Sequence, residues 1–154
     1  SKKSALDTYG VDGCHVVEEK GIFERLGLWD KINELNQKKI FIPNGSYLIF
    51  EQTSSFFAID VNSGKNLKVG SNELNLLACS EICRLIKVLG IGGKIIIDFL
   101  PSSKSQKKVI YDFILSSLHN DISRNKIWGW TKGGSFELER ERDKSPLKLL
   151  VQHN

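Results

Sequence analysis

The sequence lacks methionine entirely, and it lacks any apolar run long enough to span a membrane. Its first residues also lack the pattern of a secretory signal. The lack of an apolar span and of a secretory signal argues against a membrane-embedded or secreted protein and predicts a cytoplasmic one. Because the chain begins at Ser1 and contains no methionine at all, we expect a short form or a fragment of a longer parent chain.

Cysteines are few, and no nucleophile motif is present. The three cysteines are odd in number, and Cys79 and Cys83 lie one helical turn apart without forming a CxxC pair. We therefore expect reduced thiols that pack in a core. The three histidines match no Cys or Ser nucleophile motif, and no GxxxxGK[ST] loop occurs, which excludes a P-loop nucleotidase.

Neither sign of charge is in strong excess. Lys and Arg number 22 against 18 Asp and Glu, which gives a formal net charge of +4. This excess suits contact with a polyanion but is smaller than that of a typical non-specific DNA binder. With 154 residues, of which 40% are hydrophobic, the chain can form one domain with a substantial core.

Two aspartates close two apolar runs, and a helix-length segment separates the runs. Asp60 follows the run 56–59, and Asp98 follows the run 94–97. Both runs favour strands. Apolar residues recur at three- and four-residue spacing over 71–89, which predicts an amphipathic helix. A strand–helix–strand unit of this length predicts parallel neighbouring strands, whose carboxyl ends place Asp60 and Asp98 at one crevice.

The residues around Asp60 indicate a divalent-metal site. Two carboxylates side by side require a cation, because burying an unpaired carboxylate costs several kcal/mol. Asn62, two residues beyond Asp60, projects from the same face of an extended chain, where it can orient the carboxylate or reach the ion. Ser63, Gly64 and Lys65 add a hydroxyl, a flexible backbone and a cation, as a phosphate-bearing substrate requires. Mg²⁺ fits best, with Mn²⁺ as a substitute.

The rest of the pattern completes a mixed sheet with flanking helices. Apolar residues at helical spacing over 22–37 predict a helix that Gly27 weakens or breaks. A further helix follows Asp98 and runs to about Asn120. An Asn-Gly signal predicts a tight hairpin between the first two strands. The predicted strands outside the central unit are 39–42, 46–52, 126–131 and 135–140. The expected fold class is α/β, a mixed sheet with a βαβ crossover.

Short motifs also occur along the chain in a fixed order. They are Gln52-Thr53, Ala58-Ile59-Asp60-Val61-Asn62-Ser63-Gly64, Asn75-x-x-Ala78-x-x-Glu81-Ile82, Gly92-Gly93, Ile95-Ile96-Ile97-Asp98-Phe99, Gly129-Trp130-Thr131 and Phe136-Glu137-Leu138. In this order they resemble the catalytic core of the ribonuclease E/G family. The ordered set is far more specific than any one motif.

The resemblance implies a domain organisation. It implies a DNase I-like catalytic subdomain over 22–147, with an irregular lead over 1–21 before it and a tail over 148–154 after it. The S1-type RNA-binding domain and the sensor of the RNA 5′-monophosphate that family members carry are not found in the sequence. The zinc-link cysteine pair that joins subunits in larger members is also missing, so we predict no zinc and leave the oligomeric state open.

The resemblance also implies an activity and its residues. Asp60 and Asp98 are expected to hold Mg²⁺, and Asn62 is expected to support Asp60. Family members cleave single-stranded RNA during RNA processing and decay. The resemblance therefore implies a metal-dependent endoribonuclease whose catalytic residues are these three.

Cations and aromatic residues elsewhere are candidates for RNA contact. Cations beside the metal loop, at the start of the helix after Asp98 and at the end of the last strand can bind phosphates. These cations are Lys65, Lys104, Lys107 and Arg140. Trp128 and Trp130 alternate on a strand and are expected to share a face, where they stack unpaired bases or pack in the core.

Two other functions remain open. The chain could be a non-catalytic RNA-binding or assembly module that keeps the subdomain fold. A DNA-directed nuclease of the DNase I type is disfavoured, because nothing in the sequence matches the paired histidines that such enzymes use.

Overall fold

The structure is a computed structural model that describes residues 20–35, 37–65 and 70–142. The chain divides into two compact units, Ser1–Glu34 and Leu35–Asn154. The predicted tail over 148–154 and nearly all of the predicted lead over 1–21 lie outside the described residues, so both remain predictions. No helix in the described part of the chain has the length and apolar character needed to cross a membrane.

Two short helices make up most of the described part of the first unit. Helix α1 covers Ile22–Arg25, and helix α2 covers Leu28–Leu35 and so ends at the start of the second unit. Gly27, between them, has a φ of +61°, which residues with a Cβ rarely adopt. The predicted interruption of this helical segment at Gly27 is therefore confirmed.

The second unit is built around a six-stranded mixed sheet with the order β1-β2-β3-β4-β6-β5. Strands β3 and β4 pair in parallel, and the other neighbours pair antiparallel. Helix α3 (Ser71–Val88) connects β3 to β4, and helix α4 (Lys104–Leu118) follows β4. The strands are β1 Lys39–Phe41, β2 Tyr47–Gln52, β3 Phe57–Asn62, β4 Gly93–Asp98, β5 Asn125–Trp130 and β6 Phe136–Arg140. The predicted α/β class and βαβ crossover are confirmed.

One face of the sheet and the two long helices share a single core. Alternate strand residues are buried there, because successive side chains of a strand point to opposite faces. The strands contribute Leu48, Phe50, Ile59, Val61, Ile95, Ile97, Phe136 and Leu138, and the helices contribute Ala78, Ile82, Leu85, Ile86, Ile110 and Ile114. Burying each large apolar side chain stabilises the fold by about 1.5–3 kcal/mol. This core fixes the strand register and therefore the face on which every other side chain lies.

The strand residues that alternate with the core residues form what we call the open face of the sheet, and they are exposed or half-buried. Every second side chain of a strand points to the same face, and Asp60 and Asp98 both fall in the series opposite the core. Both candidate metal ligands therefore lie on the open face. The open face comprises Lys39, Phe41, Tyr47, Ile49, Glu51, Ala58, Asp60, Asn62, Lys94, Ile96, Asp98, Lys126, Trp128, Glu137 and Glu139.

Cys79 and Cys83 lie on the buried side of α3 as free thiols. Burial raises the pKa of both thiols, that of Cys83 to about 11. The expectation of reduced thiols that pack in the core is confirmed for these two, whereas Cys14 lies outside the described residues.

A β-bulge in β5 separates the two tryptophans. The register with β6 shifts between Ile127 and Gly129, so Trp128 is the extra residue. Trp128 is 55% exposed, whereas Trp130 packs in the core with its ring centroid 5.4 Å from that of Phe136. The expectation that the two tryptophans share a face is wrong, because the bulge breaks the alternation between them.

Arg140 is also placed differently from the prediction. Its side chain is buried, and it donates hydrogen bonds from Nε and Nη2 to the carboxylate of Asp121 at 2.7 and 3.1 Å. Its Nη1 donates to the carbonyl oxygen of Ile91 at 3.1 Å. Arg140 therefore joins β6 to the turns before β4 and after α4. The predicted contact with RNA phosphate is corrected, because these interior partners hold the guanidinium away from the surface.

Candidate metal centre

The parallel pairing of β3 with β4 places Asp60 directly opposite Asp98. Neighbouring strands lie about 4.8 Å apart, and residues paired in register project to the same face. Both aspartates are exposed. The crossover through α3 thus brings the two aspartates together on the open face, as the sequence pattern predicts.

The two aspartates border an open depression of about 290 Å³. Its floor is largely apolar, and a third carboxylate, that of Glu51, stands at its edge, where it also forms an ion pair with Lys38. The lining residues are Ile49, Glu51, Ala58, Ile59, Asp60, Ile96 and Asp98. The depression therefore combines apolar walls with closely spaced negative charge.

The electrostatics of this depression favour a cation. Partial burial raises the pKa of Asp60, and the negative charges of Asp98 and Glu51 raise it further. A positive ion between Asp60 and Asp98 would remove this repulsion. Within residues 20–35, 37–65 and 70–142, no three His, Cys, Asp or Glu side chains are grouped closely enough to form a metal cage. Two carboxylates with water in the other positions are nevertheless a donor set that Mg²⁺ accepts, so the residues present fit this ion.

The first residues after β3, 63–65, form a defined turn near Asp60. The Asn62 side-chain oxygen accepts a hydrogen bond from the backbone N–H of Gly64 at 3.0 Å and so shapes the turn. Gly64 has a φ of +64°, and a Cβ at this position would collide with the carbonyl oxygen of Gly45 in the β1–β2 turn. Asn62 lies on the same face as Asp60, but its role in orienting that carboxylate remains a prediction.

Three predicted RNA-binding cations lie near the surface. Lys65 and Lys104 are exposed, Lys65 in the turn after β3 and Lys104 at the first position of α4. Lys107 is half-buried, and its Nζ lies 4.8 Å from the centroid of the Trp130 ring. Their contacts with RNA remain predictions, and the geometry leaves Lys65 and Lys104 the more accessible.

Asn75 positions the segment next to the candidate site, a role that the sequence did not predict. It is fully buried on α3, and its Nδ2 donates to the carbonyl oxygen of Leu100 at 2.9 Å and to Ser102 Oγ at 2.8 Å. Its Oδ1 accepts from the Leu100 N–H at 3.1 Å. These bonds fix the segment that follows Asp98. An asparagine on the apolar stripe of a helix was the available signal, since a buried amide requires partners.

Comparisons with known proteins identify the family to which this chain is similar. The family model of the ribonuclease E/G family matches residues 6–143. A ribonuclease E/G-like chloroplastic protein of Arabidopsis thaliana is 30% identical over 95% of this chain and 16% of its own length. Ribonuclease E of Synechocystis sp. is 35% identical over 89% of this chain and 21% of its own length. Ribonuclease G of Haemophilus influenzae is 28% identical over 84% of this chain and 28% of its own length.

The chain therefore spans less than a third of the length of each of these relatives. The family match nevertheless covers most of the chain and includes both aspartates and Asn62. This chain belongs to the ribonuclease E/G family.

Proposed function

We propose that this chain is the metal-binding catalytic part of a magnesium-dependent endoribonuclease that cleaves single-stranded RNA in RNA processing and decay. The observation that carries the proposal is the register of Asp60 with Asp98 on one exposed face. Family membership supports it, since the similar proteins are named as ribonucleases. A cytoplasmic location remains our prediction, although the name of the Arabidopsis relative assigns that protein to the chloroplast.

Some residues of the chain would bind the ion or the RNA, and others would hold those residues in position. Asp60 and Asp98 would hold the ion, and their two negative charges leave a bound divalent ion close to neutral overall. When bound, Mg²⁺ neutralises charge on a phosphate and makes a water molecule more acidic. Lys65, exposed in the turn after β3, can contact a phosphate of the RNA. Asn62 shapes the turn just before Lys65 through the hydrogen bond that it accepts from Gly64.

Cleavage of single-stranded RNA tests this proposal. The full chain is incubated with labelled RNA in Mg²⁺, in Mn²⁺ and in a chelator, together with the variants Asp60→Asn and Asp98→Asn. We expect both variants to cleave no faster than the parent in chelator, because each loses a ligand. Asp112→Asn, which removes an equal charge from the exposed side of α4, is the matched control and should cleave like the parent. Equal cleavage by the parent and both site variants would contradict the proposal.

The same assay separates a second candidate, a non-catalytic RNA-binding or assembly module. The observation favouring it is the small share of the relatives' length that this chain represents. A module of this kind would bind single-stranded RNA but would not cleave it in either metal. Cleavage that depends on Asp60 and Asp98 would exclude it.

A further inference from the structure

Three residues at the β1–β2 edge of the open face form a cation–aromatic cluster. Lys39 Nζ lies 3.7 Å from the centroid of the Tyr47 ring and 5.0 Å from that of Phe41. The two rings meet edge to face, with centroids 5.9 Å apart. Phe41 is 68% exposed, the largest fraction among the exposed large hydrophobic side chains of the described residues. The cluster therefore presents an unburied ring beside a positive charge.

The strand register places this cluster beside the candidate metal centre. Lys39 pairs with Ile49, and Ile49 pairs with Asp60, so Lys39 lies two strands from Asp60 in one row. In the next row, Phe41 pairs with Tyr47, and Tyr47 pairs with Asn62. Two strand spacings amount to about 10 Å. This distance allows the RNA backbone at the metal to continue over the cluster.

We propose that this cluster binds one unpaired base of single-stranded RNA next to the cleavage position, a step that rests on the proposed function. The exposed Phe41 ring would stack on the base, Tyr47 would hold the Phe41 ring edge-on, and Lys39 would contact the neighbouring phosphate. Aromatic faces bind unpaired bases of any sequence, and lysine binds phosphate as a point charge. The cluster thus selects unpaired RNA, because a duplex keeps its base faces stacked inside.

The opposite side of the carboxylates is unfavourable for the same substrate. Strand β6, which lies beside β4, presents Glu137 and Glu139 on the open face. Lys94 Nζ lies 3.6 Å from the carboxylate of Glu137, so the positive charge of Lys94 is partly neutralised. Phosphates are repelled by these carboxylates. On the β1 and β2 side, the one carboxylate of these two strands, that of Glu51, is paired with Lys38, and Lys39 adds a further positive charge. The charge pattern therefore favours a path of the RNA strand from Asp60 toward Lys39.

The fold offers an internal control for the aromatic cluster. On β5, Lys126 Nζ lies 3.9 Å from the centroid of the Trp128 ring, and Trp128 is 55% exposed. This pair has the same chemistry as the cluster, but Glu137 and Glu139 lie between it and the carboxylates. If any exposed aromatic–lysine pair were enough to bind single-stranded RNA, Trp128 would contribute as much to the binding affinity as Phe41.

The experiment measures binding without cleavage. Fluorescence anisotropy in chelator follows a labelled single-stranded oligouridylate and a labelled RNA duplex bound to the full chain. Phe41→Leu should weaken binding of the single strand by about fivefold or more and leave duplex binding unchanged. Phe41→Tyr, which keeps an aromatic face, should bind like the parent. Lys39→Gln should reduce the slope of log affinity against log salt by about 0.7. Trp128→Leu should have no effect.

Several outcomes would overturn the inference. These are absence of binding by the parent, equal binding by Phe41→Leu and the parent, equal losses in Phe41→Leu and Trp128→Leu, or loss of binding in Phe41→Tyr as well. Thermal unfolding of every variant shows whether a loss of binding reflects a loss of fold. Binding with the expected pattern but without metal-dependent cleavage would support the cluster and refute the proposed function. Metal-dependent cleavage by the parent, together with unaltered RNA binding by Phe41→Leu, would support the proposed function and refute the role of the cluster.

Discussion

Asp60 carries a charge that its surroundings oppose. Partial burial and the neighbouring charges of Asp98 and Glu51 raise its pKa in the folded chain. The folded state therefore holds this proton more tightly than the unfolded state does. Stability falls as pH rises through the interval between the two pKa values, and the penalty persists above it. A bound cation removes the penalty, which is why the same carboxylate can destabilise the free protein and serve as a ligand.

The substitution Asp60→Asn should remove this penalty. Without divalent ions at neutral pH, the variant should unfold at a slightly higher temperature than the parent, because it lacks the unfavourable charge. The difference should disappear at a pH well below the ordinary pKa of an aspartate. Added Mg²⁺ should raise the unfolding temperature of the parent but not that of the variant. Thermal unfolding followed by circular dichroism across pH checks all three.

Asp112→Asn is the control for a general effect of net charge. If this exposed variant shifts the unfolding temperature as much as Asp60→Asn does, the local explanation fails. A lower unfolding temperature for metal-free Asp60→Asn at neutral pH would also contradict it, since that result would mean that the folded state favours the charge.

The surroundings of single side chains were the feature that the sequence predicted least well. Arg140 ends a strand, where a charged side chain is usually exposed, yet it is buried against Asp121, 19 residues earlier in the chain. Burial alone raises the pKa of Asp121, but the hydrogen bonds from Arg140 and Asn125 and the charge of Arg140 outweigh it and lower the pKa. Only the folded chain brings this pair together, so no local pattern could reveal it.

Among the elements, α3 contributes most to the candidate site. It connects the two strands that carry Asp60 and Asp98, and its Asn75 fixes Leu100 and Ser102 just beyond Asp98. The amide makes its bonds inside the core, where an unpaired backbone group is costly. We therefore expect Asn75 to maintain both the stability of the unit and the conformation of the segment that follows Asp98.

Asn75→Leu should lower the free energy of unfolding by about 1–3 kcal/mol, because the N–H and carbonyl of Leu100 lose their partner. Asn72→Leu is the matched control, since it makes the same change on the exposed side of the same helix. It should change stability by no more than about 0.5 kcal/mol. Denaturant unfolding at neutral pH measures both. Equal effects of the two variants would show that the Asn75 bonds contribute nothing specific.

The elements themselves were largely predictable. Helical spacing over 71–89 and two apolar runs ending in aspartate were enough to predict α3, its parallel strands and the pairing of Asp60 with Asp98, because those patterns are local. The bulge in β5 was not foreseen. Its signal was Gly129 within a strand, where φ is +85° and a Cβ would press against the Tyr111 ring.

Across the whole molecule, the sheet separates two kinds of surface. One face is covered by α3 and α4 and supplies stability, and the open face carries the aspartates, the cation–aromatic cluster and the acidic strand β6. The formal net charge of +4 gives no hint of this arrangement, because it sums over both faces and both units. Sequence composition could indicate a polyanion partner but could not locate where it binds.

Mn²⁺ titration followed by electron paramagnetic resonance shows whether Asp60 and Asp98 share one divalent ion. The full chain should show saturable Mn²⁺ binding that Mg²⁺ displaces. Asp60→Asn and Asp98→Asn should each lose it, whereas Glu137→Gln, which removes a carboxylate from the neighbouring strand on the same face, should retain it. Unchanged Mn²⁺ binding in both aspartate variants, or no saturable binding by the parent chain, would show that these two carboxylates do not form a metal site.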